Sequence, residues 1–169
     1  MTGREYAFCS FCGTTSPTRA GPPATSTCVS CGNTTYLNPR PVGLGLVPVG
    51  DGLLLVRRGI EPGYGKLALP GGYMEMGETW REAVAREVRE ETGYSPEPAD
   101  AELFRMDNSG HGNLLVFCTF PRVEPGVLPP FEPDAETLEV TVAHAPCELA
   151  FPAQTAAMAE WFAARAVAA

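Results

Sequence analysis

Apolar and polar positions fall in blocks along the chain. Residues 42–49, VGLGLVPV, are almost wholly apolar and read as a buried strand. Gly50-Asp51-Gly52 marks a turn, and LLLVRR (53–58) reads as a second strand closing on two arginines. GIEPGYG is a loop, and KLALPGG (66–72) is a short strand running into a glycine pair. After SPEPAD, a linker, the segments ELFRM, NLLVFCTF and LEVTVA are further strand candidates. The last two are separated by PRVEPGVLPPFEPDAE, a proline-rich acidic loop long enough to suggest a functional role. From about Pro152 the chain turns alanine-rich, with Met158, Trp161 and Phe162 at helical spacing, which predicts a closing helix packed on the sheet.

The segment 71–94, GGYMEMGETWREAVAREVREETGY, departs from the usual division of faces. It holds six glutamates and three arginines, yet its apolar residues keep helical spacing. Thr79-Trp80-Arg81-Glu82 fits a capping box, so a helix is expected over 79–92, ended by Gly93. With Glu87 at zero and ~100° per residue, Trp80, Val84 and Val88 form a stripe from about 20° to about 100°. Glu91 falls inside that stripe at about 40°, Glu87 lies at its edge and Glu90 on the flank at about 300°. Glu82, Arg86 and Arg89 are expected to face away. A solvated charge run would avoid the apolar face, because burying unpaired carboxylates is costly. Arginine pairing could rescue one of them; a cluster of three is better explained by hard divalent cations. With no Cys or His among these ligands, Mg²⁺ or Mn²⁺ is the expected occupant.

Composition narrows the classes. The 169 residues allow one good core and a small appendage. No apolar run reaches membrane-spanning length and MTGREYAFCSFCG has no signal-peptide core, so a cytoplasmic protein is expected. A net charge of -8 argues against general affinity for nucleic-acid backbones and fits a protein that holds cations. Cys9-x-x-Cys12 and Cys28-x-x-Cys31 are spaced as a structural zinc site, each followed by glycine. The intervening TTSPTRAGPPATST has no core-forming pattern and needs an organising metal. Redox-active or disulfide-paired CxxC units are the alternative. Cys118 and Cys147 sit among apolar residues and are expected to be buried thiols without a chemical role. The boundary is placed near Tyr36, giving a ribbon over 1–36 and a larger domain over 37–169, joined at the stiff LNPRP connector.

Gly72, five residues, Glu78, seven residues and then Arg86-Glu87-Val88-Arg89-Glu90-Glu91-Thr92-Gly93-Tyr94 resemble a Nudix box with every defining position filled. The resemblance extends over roughly 37–169. The cysteine pairs, the Asn-Pro-Arg connector and ELAFPA (148–153) look like the zinc-ribbon subgroup that includes NADH, FAD and ADP-ribose pyrophosphatases. It implies an α/β fold, an α/β/α sandwich with a mixed sheet behind a small zinc ribbon. It also implies metal-dependent hydrolysis of a nucleoside diphosphate linked to another moiety, to two monophosphates. By the same resemblance Glu87, Glu90, Glu91 and the Gly71 carbonyl hold Mg²⁺ or Mn²⁺, Glu78 and Arg86 fix the loop against the helix, and Cys9, Cys12, Cys28 and Cys31 hold structural Zn²⁺. Arg57 and Arg58 are candidates for phosphate contact, or else solvated strand-end arginines.

The substrate is less sharply marked. YSPEPADAELFRMDNSGHGN lacks the SQPW-type segment of NADH pyrophosphatases, and residues 108–110 are Asn, Ser and Gly where ADP-ribose and diadenosine-polyphosphate hydrolases carry proline or tyrosine. The coenzyme A signature is also unmatched. A dinucleotide-type substrate (FAD, ADP-ribose, NADH or similar) is expected, with a nucleotide-pool sanitising triphosphate pyrophosphohydrolase as the alternative. A non-enzymatic nucleotide sensor is the reading from another class. Against it, the ribbon has few basic residues (Arg4, Arg19, and Arg40 just beyond), and a sensor has no need of a full metal cluster. Enzymes of this family are commonly dimers, although the residues do not reveal the assembly. Among the loop acids Glu124, Glu132, Asp134, Glu136 and Glu139, Glu136 meets a strand in which Leu138, Val140 and Val142 alternate. A catalytic residue belongs where a loop joins a rigid element, and Glu136 also resembles the loop glutamate of ADP-ribose hydrolases. An exposed loop charge is the plainer reading.

Overall fold

The structure, a computed structural model, describes residues 8–15, 25–36, 38–110 and 112–168. Arg4, Arg19 and most of the segment between the cysteine pairs lie outside the described residues. Two compact units emerge, Met1–Pro39 with Gly110–Gly112, and Arg40–Ser109 with Asn113–Ala169. In the smaller unit β1 (Thr25–Thr27) and β2 (Thr34–Tyr36) form an antiparallel pair around the second CxxC, and a Phe8–Thr15 bridge flanks the first.

The larger unit runs β3 (Arg40–Leu46), β4 (Pro48–Val49), β5 (Gly52–Arg58), β6 (Leu67–Ala68), β7 (Gly71–Tyr73), α1 (Trp80–Thr92), β8 (Glu102–Asn108), β9 (Asn113–Thr119), β10 (Thr137–Ala143) and α2 (Pro152–Ala168). One sheet has the order β7-β3-β9-β8 and is mixed, since β3 and β9 are parallel and the other pairs antiparallel. The other has the order β10-β5-β4 with β6 also on β5, all antiparallel. The expected α/β architecture with a mixed sheet is present.

Alternation along the strands divides the core in two. Leu53, Leu55, Leu115 and Phe117 join Met158 and Trp161 of α2, while Leu54, Val116 and Cys118 join Val84, Ala85 and Val88 of α1. Successive strand residues point to opposite faces, so an unbroken apolar run supplies both layers. The glycines in VGLGLVPV have a packing reason. A Cβ at Gly43 would come within 2.6 Å of Val84 Cγ2, and one at Gly45 within 2.6 Å of Val88 Cγ2. Their bare backbone lets α1 lie close on the sheet.

Helix α1 starts and stops where its caps dictate. Thr79 Oγ1 accepts the Glu82 amide at 3.3 Å, and Glu82 Oε2 accepts the Thr79 amide at 2.7 Å. Gly93 closes it with φ 74° and donates its N–H to the Arg89 carbonyl. The acidic loop ahead of β10 is tethered rather than free. Val123 donates to the Pro48 carbonyl and accepts from Gly50, and a single 3₁₀ turn forms at Pro125–Val127. Cys118 is fully buried and its thiol is pushed up to about 12 by that burial. Cys147 is half-buried, with Sγ 3.9 Å from Met158 Sδ.

Candidate active site

The chemistry of the larger unit gathers where β7 meets α1. Glu91 emerges from the apolar stripe and its Oε2 accepts the Gly71 amide at 2.8 Å. Burial, reinforced by the Glu87 and Glu136 carboxylates and opposed by the Gly71 amide and Arg58, pushes Glu91 up to about 7. Glu87 shifts upward as well, mainly through burial and against the pull of Arg86. Gly72 makes room for it: a Cβ there would fall 2.5 Å from Glu87 Oε1.

Arg86 does not face away, as the helical wheel had it. Its side chain is only 19% exposed and bends back over the turn before the helix. There it grips Glu78 with Nε at 3.1 Å and Nη2 at 2.9 Å, and Nη2 also donates to the Tyr73 carbonyl. Nη1 holds Glu87 at 2.8 Å and Glu90 at 3.0 Å. The wheel failed because it places Cα positions, whereas an arginine reaches well beyond its own Cα. Arg86 keeps the Glu78 carboxyl below its ordinary value. Glu78 also accepts the Glu75 amide, so the pair ties residues 73–78 to the helix.

The three helical glutamates are therefore divided. Arg86 holds Glu87 and Glu90, while Glu91 binds the Gly71 amide. An open cleft of about 550 Å³ is lined by Glu78 and Arg86 together with Glu75, Glu82, Arg89 and Pro96 among others. It includes none of Glu87, Glu90, Glu91 and Gly71.

Glu136 sits in the turn that enters β10. Its carbonyl accepts the Gly59 amide at 2.7 Å, and its side chain is exposed. Asp134 builds that turn by accepting the amides of Glu136 at 2.8 Å and Thr137 at 2.7 Å. Sequence reasoning counted Asp134 only as another loop acid. The signal was present, since an Asp ahead of two turn amides is an Asx-turn pattern.

The two strand-end arginines are engaged. Arg57 Nε pairs with Glu139 at 2.6 Å and Nη1 donates to the Gly65 carbonyl. A bulge between Thr137 and Glu139 brings Glu139 opposite Arg57, so Glu139 is an ion-pair partner rather than a merely solvated charge. Arg58 Nε donates to the Pro62 carbonyl, and its guanidinium lies 5.2 Å over the Phe151 ring.

The donor chemistry fits the two expected kinds of metal. Around Glu91 every candidate ligand atom is oxygen, which suits a hard divalent cation. In the smaller unit Cys9, Cys12, Cys28 and Cys31 bring four Sγ atoms within 4.8 Å of one another. The Cys9–Cys31 and Cys12–Cys28 separations are 3.8 and 3.7 Å. A tetrahedron with zinc–sulfur distances near 2.3 Å has edges of about 3.8 Å, and all four cysteines are free. Amides of Cys12 and Phe11 lower the Cys9 thiol, and Thr14 brings Cys12 down to about 6. At Cys31 the Asn33 amide is outweighed by burial and the other cysteines, which push it up to about 12. Four sulfur donors at this spacing suit a tetrahedral zinc ion.

The chain matches the NUDIX domain family model over residues 39–164 and belongs to that family. It is 46% identical over 61 residues to an ADP-ribose pyrophosphatase of Methanocaldococcus jannaschii, a match covering 36% of each chain. It is 43% identical over 96 residues to the NAD-capped RNA hydrolase NudC of Stutzerimonas stutzeri, covering 56% of this chain and 33% of that one. These matches span about a third of the length of either curated relative. Among solved structures, a NUDIX hydrolase from Nitrosomonas europaea superposes with a TM-score of 0.70 at 26% identity, covering 95% of this chain and 92% of that one. Among the described residues no helix is long and apolar enough to cross a membrane.

Proposed function

We propose that this protein is a metal-dependent pyrophosphohydrolase that splits a nucleoside diphosphate linked to another moiety, of the dinucleotide type, into two monophosphates. The observation that carries the reading is the half-buried Glu91, bound to the Gly71 amide beside Glu87 and within the electrostatic reach of Glu136 and Arg58. The two curated relatives support the substrate class. ADP-ribose and NAD, which their names contain, both join two groups through a diphosphate. FAD and NADH share that bridge.

Glu87, Glu90, Glu91 and the Gly71 carbonyl would hold Mg²⁺ or Mn²⁺. Such an ion neutralises diphosphate charge and makes a bound water more acidic. Arg86 orients Glu87 and Glu90, and its grip on Glu78 and Tyr73 keeps the Gly71–Gly72 backbone at the helix. Glu136 takes a proton from the attacking water, whose oxygen bonds to one phosphorus as the bridging P–O bond breaks and the second monophosphate leaves. Asp134 and the Gly59 amide set the position of Glu136. Arg58, whose charge already bears on Glu91, is the better placed of the two arginines to meet phosphate; Arg57 is held by Glu139. The cysteine cluster holds one structural Zn²⁺, in a ribbon over 1–36 that precedes the hydrolase domain over 37–169.

A panel of FAD, ADP-ribose, NADH, NAD-capped RNA and nucleoside triphosphates, incubated with Mg²⁺ or Mn²⁺, tests this reading. Release of paired monophosphates from one of the dinucleotides is expected. Release of inorganic diphosphate from triphosphates alone would replace it with the nucleotide-sanitising reading.

A further inference from the structure

Gln154 is the one polar side chain that α2 buries among the described residues, at 5% exposure. Its neighbours one turn on, Ala157 and Met158, are fully buried core residues. An apolar residue would suit that face better unless the amide had a partner. It has one: Gln154 Oε1 accepts the amide of Leu69 at 3.0 Å, across 85 residues of sequence. The Ala150 amide binds the Leu67 carbonyl beside it at 2.7 Å.

These two bonds fall on the edge of β6 that faces away from β5. On the inner edge Leu67 and Ala68 pair with Arg57 and Val56 of β5. On the outer edge no strand pairs with β6 among the described residues, and Ala150 and Gln154 stand in for one. Just beyond Leu69 the Pro70 carbonyl accepts from Gly45 at 2.8 Å, and Gly71 turns its amide to Glu91. The run 67–70 is thus held at both edges immediately before Gly71, the residue that meets the catalytic helix. The ELAFPA segment, which the sequence singled out without a role, is half of that clamp.

We infer that Gln154 is a positioning residue of the catalytic metal centre. By holding Leu69 it fixes the Leu69–Gly71 backbone, and with it the Gly71 amide on Glu91 and the Gly71 carbonyl offered to the metal. The inference rests on the metal-dependent reading above. Gln154 touches neither substrate nor metal, and acts through two peptide units.

The test is Mn²⁺ binding to the full chain, followed by electron paramagnetic resonance of the free ion, alongside melting temperature. Gln154→Met keeps the volume and deletes the acceptor. It should weaken Mn²⁺ binding about tenfold, the range seen for outer-shell partners of metal ligands. Val49→Ala is the structural control. Val49 is buried on β4 in the other core layer, at the opposite end of β5 from β6, so its truncation should lower melting temperature and leave Mn²⁺ affinity unchanged. A folded Gln154→Met with wild-type Mn²⁺ affinity, or a Val49→Ala shift as large as that of Gln154→Met, overturns the inference. Should Gln154→Met not fold, Gln154→Asn, shorter by about 1.5 Å of reach, is judged by the same criterion. Failure of both to fold also overturns it, because the residue then serves the fold itself. Glu91→Gln separates the two failures: if it binds Mn²⁺ as tightly as wild type, the metal-site reading fails and takes the inference with it, whereas weakened binding in Glu91→Gln beside wild-type affinity in Gln154→Met overturns the inference alone.

Discussion

The cysteine cluster and the acidic cluster hold ligands in opposite ways. Each CxxC is a local turn with the same bonds: Cys9 to Thr14 and Gly13 to Cys9 in one, Cys28 to Asn33 and Gly32 to Cys28 in the other. Four soft ligands then converge, with backbone amides and Thr14 about them among the described residues. The proposed acidic site would draw on α1, β7 and the turn before β10, and the α1 carboxylates are shared with an arginine and a backbone amide. A structural centre is saturated by its own ligands, whereas a catalytic one keeps positions open and depends on surrounding groups for geometry. On that ground the first should fail all at once and the second by degrees.

The largest expected effect is at Glu91. Glu91→Gln keeps size and removes the charge, and turnover should fall roughly a hundredfold or more with circular dichroism and melting temperature retained. Near-normal turnover at saturating Mg²⁺ would show that α1 is not the metal site. At the other cluster, one zinc per chain is expected by elemental analysis. Cys28→Ser should abolish it and expose the smaller unit to proteolysis, since such sites contribute folding free energy outright. A zinc-free wild type purified without chelator, or a disulfide among the four, would erase the contrast.

A smaller effect is expected at Glu136. Glu136→Gln should lower kcat about tenfold or more with an unchanged melting temperature, at the low end of general-base contributions. A full-rate Glu136→Gln together with an inactive Glu132 variant would move the role along the loop.

The smallest effect concerns pH. Glu91 is raised to about 7, so the folded protein favours its proton-bound form. That stabilisation is full below the ordinary carboxyl range and is lost as pH rises through about 7. With divalent cations removed, wild type should melt a few degrees lower at pH 8 than at pH 5, and Glu91→Gln should flatten most of that slope. An identical slope in both proteins would assign it to other groups.

Much of this was legible because local rules were obeyed. The Thr79–Glu82 box and Gly93 set the ends of α1 where the sequence placed them. The apolar runs became β3, β5 and β9, and Met158 and Trp161 became the buried face of α2. Glu91 within an apolar stripe was visible from spacing alone. Less legible was everything that depends on reach. Arg86 was assigned to the wrong side because its guanidinium lies far from its Cα. The engagement of Arg57 by Glu139 required a bulge in β10, and bulges leave little trace in hydrophobic alternation.

Sequence alone was enough for the elements, their caps, the four-cysteine grouping and the segment that carries the acids, because each follows from periods of 2.0 or 3.6 residues or from contacts a few positions apart. Tertiary packing set the rest: that Arg86 holds Glu87 and Glu90, that the Glu136 charge bears on Glu91, and that Gln154 grips Leu69. Those contacts join residues up to 85 positions apart. Their geometry is set by how closely α1 lies on Gly43 and Gly45 and how α2 seals the far face of the sheet, and no local pattern encodes either distance.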